Sequence, residues 1–154
     1  VAHNRTEIRL AVKALLDAVV SPTWANVYVE RRHRIDTTLR PLVIISTGND
    51  DLEPGNRAMG SPVYDVEHSQ ALTLELHADG TDGDVVADTI DAMELEVEAA
   101  LASDLFLGGL VEMVTPVSSE LEMDSETDRI IGVRSVQYLA SWRSAFGAPD
   151  TPEA

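Results

Sequence analysis

The residues most able to hold a metal or move a proton in this chain are its four histidines, His3, His33, His68 and His77. None forms a His-x-x-x-His pair or another close ligand spacing. Glu75 and His77 alternate onto one face of a predicted strand and can touch. With His68 they mark the region where a small metal-dependent enzyme would have its site; a lone pair of this kind is more often a solvated face. The run 79–84, DGTDGD, looks like a calcium loop, but Thr81 and Gly83 stand where alternate acidic ligands are needed. It reads instead as a turn with an N-cap. Glu112, Glu120 and Glu122 fall on one alternating strand face and could do acid–base work. Charges there also keep an edge strand from pairing with other chains, which is the favoured reading. Spacing alone does not exclude a Ser/His/Asp triad, although no nucleophile elbow accompanies one.

Other chemistries lack their parts. The chain has no cysteine, which removes disulfides, thiolate nucleophiles and cysteine-ligated zinc. Its one lysine, Lys13, follows no glycine loop, so a phosphate-cradling loop of the usual kind is absent. No glycine fingerprint joins a strand to a helix in the dinucleotide-binding manner. The expectation is a protein with no catalytic residues, no cofactor and no metal.

The elements that would position these residues follow from hydrophobic period. Ile8, Ala11, Val12, Leu15, Leu16 and Val19 recur at helical spacing, with Asn4 as N-cap, Glu7 completing a capping box and Ser21-Pro22 as the stop. Short strands are predicted over 27–29 and 42–46, the second apolar enough to be covered on both faces. A loop is expected over 47–61 from its Gly, Asn, Asp and Pro content. Within 62–78, Leu72, Leu74 and Leu76 face one way and Thr73, Glu75 and His77 the other. A second helix over 84–103 aligns Val86, Ile90, Met93, Val97 and Leu101. Strands over 110–121 and 129–142 follow, joined by a polar loop at 124–128. The result is an α+β domain over 1–146. It has a mainly antiparallel or mixed sheet of about five strands, two amphipathic helices on one face, and a flexible tail at 147–154.

Charge narrows the partners. The 154 residues carry 27 acidic and 11 basic side chains, for a formal net charge of -16. Such a surface repels phosphates, which argues against sequence-specific DNA binding. It would suit a passage through which DNA slides without sticking. No stretch nears the ~20 apolar residues of a membrane span. The polar start, 1–9, lacks a signal peptide's apolar stretch, so a cytosolic origin is expected. Against this background Arg31, Arg32, Arg34 and Arg40 stand out. A basic patch of this kind can meet an acidic patch on the next copy in a head-to-tail assembly. The candidate acids are Asp50, Asp51 and Glu53, and the second helix.

The order of these stretches resembles the tail terminator, or tail-completion, proteins of long-tailed phages and gene-transfer agents. The stretches are IRLAVKALLDAVV, LRPLVIISTGNDD, HSQALTLELHADG, VVADTIDAMELEVEAAL and GLVEMVTPVSSELEMDSETDRIIGVRSVQYLASWR. They span nearly the whole chain. The loop before Gln70 and the terminal hairpin are longer than is usual in that family. The resemblance implies a virion protein, assembled in the host cytoplasm, that forms a homohexameric ring at the head-proximal end of the tail tube. Its implied partners are its own copies, the tail tube protein and the head–tail connector, with DNA passing through the lumen and no membrane involved. The alternatives are a connector or tube subunit, the metal-dependent enzyme above, and an acidic nucleic-acid mimic.

Overall fold

The computed structural model describes residues 3–30, 41–55, 65–126 and 128–145. The arginine-rich run, the middle of the expected long loop and the tail from 147 lie outside them. Helix α1, Asn4–Asp17, buries Ile8, Val12 and Leu16, one per turn. Burying side chains of this size contributes about 1.5–3 kcal/mol each. The predicted cap is displaced by one residue. His3 is the N-cap, its ring accepting from the Arg5 amide, while Asn4 lies inside the first turn and is buried. The Asn4 amide donates to the Leu110 carbonyl at 3.2 Å. Tertiary satisfaction of that carbonyl outweighs the local capping preference of Asn.

The strands are β1 (Asn26–Val29), β2 (Leu42–Pro54), β3 (Asp65–Gly80), β4 (Met113–Glu126) and β5 (Arg129–Ala145), and α2 (Gly83–Ala102) follows β3. They form a five-stranded sheet in the order β1-β2-β3-β5-β4. β1 runs parallel to β2; every other neighbour is antiparallel. Ile8, Val12 and Leu16 of α1 and Val86, Ile90, Met93 and Val97 of α2 enter one core with Leu72, Leu74, Leu76, Val136 and Tyr138. Both helices therefore cover one face of a mainly antiparallel mixed sheet, as the patterning predicts. Among the described residues no helix lies on the other face, where Leu42, Ile44 and His77 are nonetheless buried.

The largest departure is the predicted loop at 47–61. Residues 47–54 continue β2, pairing as far as Pro54 with Val66. The reason is a β-bulge. Thr47 pairs with Leu72 and Asp50 with Gln70, so one extra β2 residue is absorbed at Gly48-Asn49. The Gly-Asn dipeptide thus bends a strand rather than ending it. The bulge also resets side-chain parity, so that Asp50 points to the helix side.

The ends of other elements shift as well. β4 begins at Met113 because the chain first makes a short 310 turn, Leu107–Gly109, with left-handed φ at Leu107, Gly108 and Gly109. β4 and β5 then pair up to Glu126 and Arg129, leaving a two-residue connection where a loop over 124–128 was expected. α2 is capped by Asp82, which accepts from the Asp84 amide, so the DGTDGD run serves as strand end and N-cap. Gly132 permits the close seating of α2: a Cβ there would lie 2.6 Å from Ile90 Cδ1 and 2.8 Å from Val86 Cγ1.

Candidate assembly surfaces and a buried polar cluster

The bulge, β3 and the end of β5 converge on a polar cluster. Asp50 Oδ2 lies 2.7 Å from His68 Nδ1, and His68 Nε2 lies 2.9 Å from Ser144 Oγ. Arg5 Nη2 donates to the same Asp50 oxygen at 2.8 Å. The His68 ring stacks on Trp142, with centroids 3.5 Å apart and planes 8° from parallel. His3 meets Trp142 edge-on. Gln70 donates to the Gly48 carbonyl of the bulge at 2.8 Å. Four elements or their ends, α1, β2, β3 and β5, are tied at this corner of the sheet.

The connectivity Asp–His–Ser is that of a nucleophilic triad. The surroundings argue for cohesion instead. Ser144 is 1% exposed and His68 5% exposed, so a substrate has no approach to the hydroxyl. The Asp50 oxygen that would stabilise an imidazolium already neutralises Arg5. Trp142 covers one ring face. Asp50 beside Nδ1 favours the tautomer in which Nδ1–H donates to the carboxylate and the Ser144 hydroxyl donates to Nε2.

The other histidine region does not join this cluster. Glu75 and His77 lie on the helix-free face, 3.4 Å apart, with the sheet between them and His68. The His77 hydrogen bond holds the Glu75 carboxyl below its usual range, against a smaller opposing effect of burial. Of the region named for a metal-dependent enzyme, Glu75 and His77 meet, while His68 lies on the opposite face of the sheet. Among the described residues no group of three or more His, Asp or Glu is placed to hold a metal.

The predicted interface acids divide. Asp50 is engaged inside the chain, its side chain 3% exposed. Asp51 and Glu53 are exposed on the helix-free face, where Glu53 stands opposite Glu67 across the ladder. Arg31, Arg32, Arg34 and Arg40 lie outside the described residues. Glu120 and Glu122 share the helix-free face of β4, and Glu112, just before that strand, pairs with Arg143 at 2.7 Å. All six described cations are engaged within the chain. They are Arg5 with Asp50, Arg9 with Glu30, Lys13 with Asp17, Arg129 with Asp79, Arg134 with Glu94 and Arg143 with Glu112. The described surface thus offers carboxylates in excess.

A surface the sequence reading missed lies between the second half of α2 and β4. It is a groove of about 420 Å³. Leu101, Val114, Val136 and Tyr138 line it, with Glu94 and Glu98 on its helix side and Val117 on its strand side. Val117 is the bulged residue of β4 and is 60% exposed. The Tyr138 hydroxyl is pushed up to about 12, first by burial and then by the charges of Glu98 and Glu94. The groove's strand-side residue Val117 depends on the bulge, which strand parity alone does not show.

No protein-family model and no curated protein matches the chain. Among solved structures, a chain of the native gene transfer agent virion particle is similar to it at 12% identity and a TM-score of 0.38. That likeness covers 90% of this chain and 92% of the other. Likeness of this degree carries no argument about function.

Proposed function

We propose that the protein is a structural component of a tailed-phage-like or gene-transfer particle, acting through its surfaces and not by catalysis. Within that class the reading is a tail terminator. Copies form a ring on the last ring of the tail tube, stop its growth and present a surface to the head–tail connector. The observation that carries the reading is the element order helix, strand, strand, strand, helix, strand, strand. The same order underlies the resemblance to tail terminators. The excess of exposed carboxylates, with all six described cations engaged internally, is compatible with a lumen along which DNA slides.

The test is mass under native conditions, with and without purified tail tubes from the same source. A closed oligomer, or protein bound only at tube ends, is the expected result. Axial growth into tubes would make the chain a tube subunit. A monomer that ignores tube ends would overturn the assembly reading altogether.

A further inference from the structure

The groove between α2 and β4 holds two polar groups that the fold does not use. Tyr138 is 6% exposed and part of the core, yet among the described residues its hydroxyl has no hydrogen-bond partner. A buried tyrosine hydroxyl ordinarily finds one, and this one is reached only from the groove. Burial and the charges of Glu98 and Glu94 keep it protonated well above neutral pH. Glu98 is exposed on the helix side and, among the described residues, meets no cation. Glu94 differs, being already occupied by Arg134 and Ser119. The groove thus has room for one hydrogen-bonding group at Tyr138 and one positive charge at Glu98, over a floor of Leu101, Val114 and Val136.

The apolar surface does not stop at the groove. Leu121 stands opposite Arg134, which reaches Glu94 of α2, and Met123 stands opposite Gly132, beside which Val86 and Ile90 are seated. Both therefore lie on the helix side of β4, and both are exposed, as is Val117 at the groove's rim. At about 3.3 Å per residue, Val117 to Met123 spans roughly 20 Å. A small molecule filling the groove would leave this strip bare, whereas an extended chain segment would cover both. Pro116 and the bulge interrupt the outer ladder of β4, so such a segment lies on side chains and does not extend the sheet. Charge then selects among segments. The described cations of another copy are all engaged, and a nucleic acid would set phosphates against Glu98.

We infer that the α2–β4 groove docks an extended segment of a different protein of the particle. That segment sets a lysine or arginine against Glu98, a backbone carbonyl where it accepts from the Tyr138 hydroxyl, and aliphatic side chains on the floor and along the strip. This rests on the assembly reading and names the chemistry of one partner.

Two measurements separate this inference from the reading beneath it. The first titrates two blocked heptapeptides into the intact protein and follows backbone amide shifts by NMR. In both, threonine alternates with valine; the central residue is lysine in one and glutamate in the other. The lysine peptide should shift Val114, Val117, Val136 and Tyr138 and bring the Tyr138 ionisation down, because its ammonium offsets Glu98. E98Q should weaken it about threefold, the order of one exposed charge pair. E122Q, on the other face of β4, should leave it unchanged. No shift at these residues, equal binding of the glutamate peptide, or equal weakening by E122Q overturns the groove assignment. The second measurement repeats the native-mass test with E98R and V117E, offering tail tubes and the head–tail connector from the same source. Both side chains are exposed, and circular dichroism checks that the variants fold. Loss of binding to one of the two partners is expected in both variants. Binding equal to wild type overturns the groove and leaves the assembly reading standing. Loss of self-association alone would give the groove to a second copy and overturn the partner named here. A wild type that stays monomeric and binds neither partner overturns the assembly reading itself.

Discussion

His68 is held by three partners of different kinds: a carboxylate, a hydroxyl and an indole face. His68→Ala removes the ring and leaves Asp50 and Ser144 short of buried partners. A loss of about 2–4 kcal/mol in unfolding free energy is expected by chemical denaturation. Ser144→Ala removes one neutral hydrogen bond and should cost about 1 kcal/mol. A fluorophosphonate probe should leave Ser144 unlabelled in the folded protein; labelling would reopen the nucleophilic reading. Tyr138 gives a pH-dependent prediction. Its folded value of about 12 lies above its ordinary value of 10.0, so the fold favours the protonated hydroxyl. That contribution is complete below pH 10 and is lost as pH rises toward 12. An absorbance titration should find a late tyrosine ionisation, and Tyr138→Phe should remove that step. The individual residues were only partly legible in the sequence. The shared face of Glu75 and His77 follows from period 2. The meeting of Asp50, His68 and Ser144 does not, because it depends on a bulge that shifts Asp50 across the sheet.

The helices and the middles of the strands were legible because apolar period and burial coincide there. Ile8, Val12 and Leu16, and Val86, Ile90, Met93 and Val97, are buried as their spacing implies. Strand ends were not legible where turn-forming residues are absorbed by pairing. Gly48-Asn49 make a bulge, and residues 50–54 pair because β3 is long enough to receive them. The seating of α2 on β5 yields a prediction at this level. Gly132→Ala should destabilise the fold by about 1–3 kcal/mol through contact with Ile90 and Val86. Adding Ile90→Val removes the Cδ1 that the new methyl would meet and should recover part of that loss. No recovery in thermal unfolding would mean that the backbone, and not the side-chain end, resists the substitution. At the other end of α2's first turn, Asp82→Ala deletes the N-cap bond and should cost about 1 kcal/mol.

Among the described residues, both helices lie on one face of the sheet, Leu42, Ile44 and His77 are buried on the other, and the two sheet edges are unlike. The charge imbalance was readable from composition, but its distribution was not: every described arginine and the lysine are engaged by nearby acids. Five further arginines, Arg31, Arg32, Arg34, Arg40 and Arg57, lie outside the described residues. If those arginines hold copies together through exposed carboxylates, raising salt from 0.05 to 0.5 M, roughly, should weaken self-association by tenfold or more. Sedimentation at the two salt concentrations measures this, and an association that strengthens with salt would point to an apolar contact instead.

The outer edge of β4 carries a proline at Pro116, a bulge at Val117 and acids at Glu120, Glu122 and Asp124. These are the devices by which a free strand edge avoids pairing with a stranger. Two of them are permanent, but the acids work only while charged. Acidification toward the isoelectric point near 4.3 removes the repulsion and leaves a 14-residue strand with an open ladder and exposed Val117, Leu121 and Met123. Shelf life should then be set by acidity: turbidity and thioflavin binding should rise on storage near pH 4 and stay absent at neutral pH. Lysine at Val117 and Met123 should delay both.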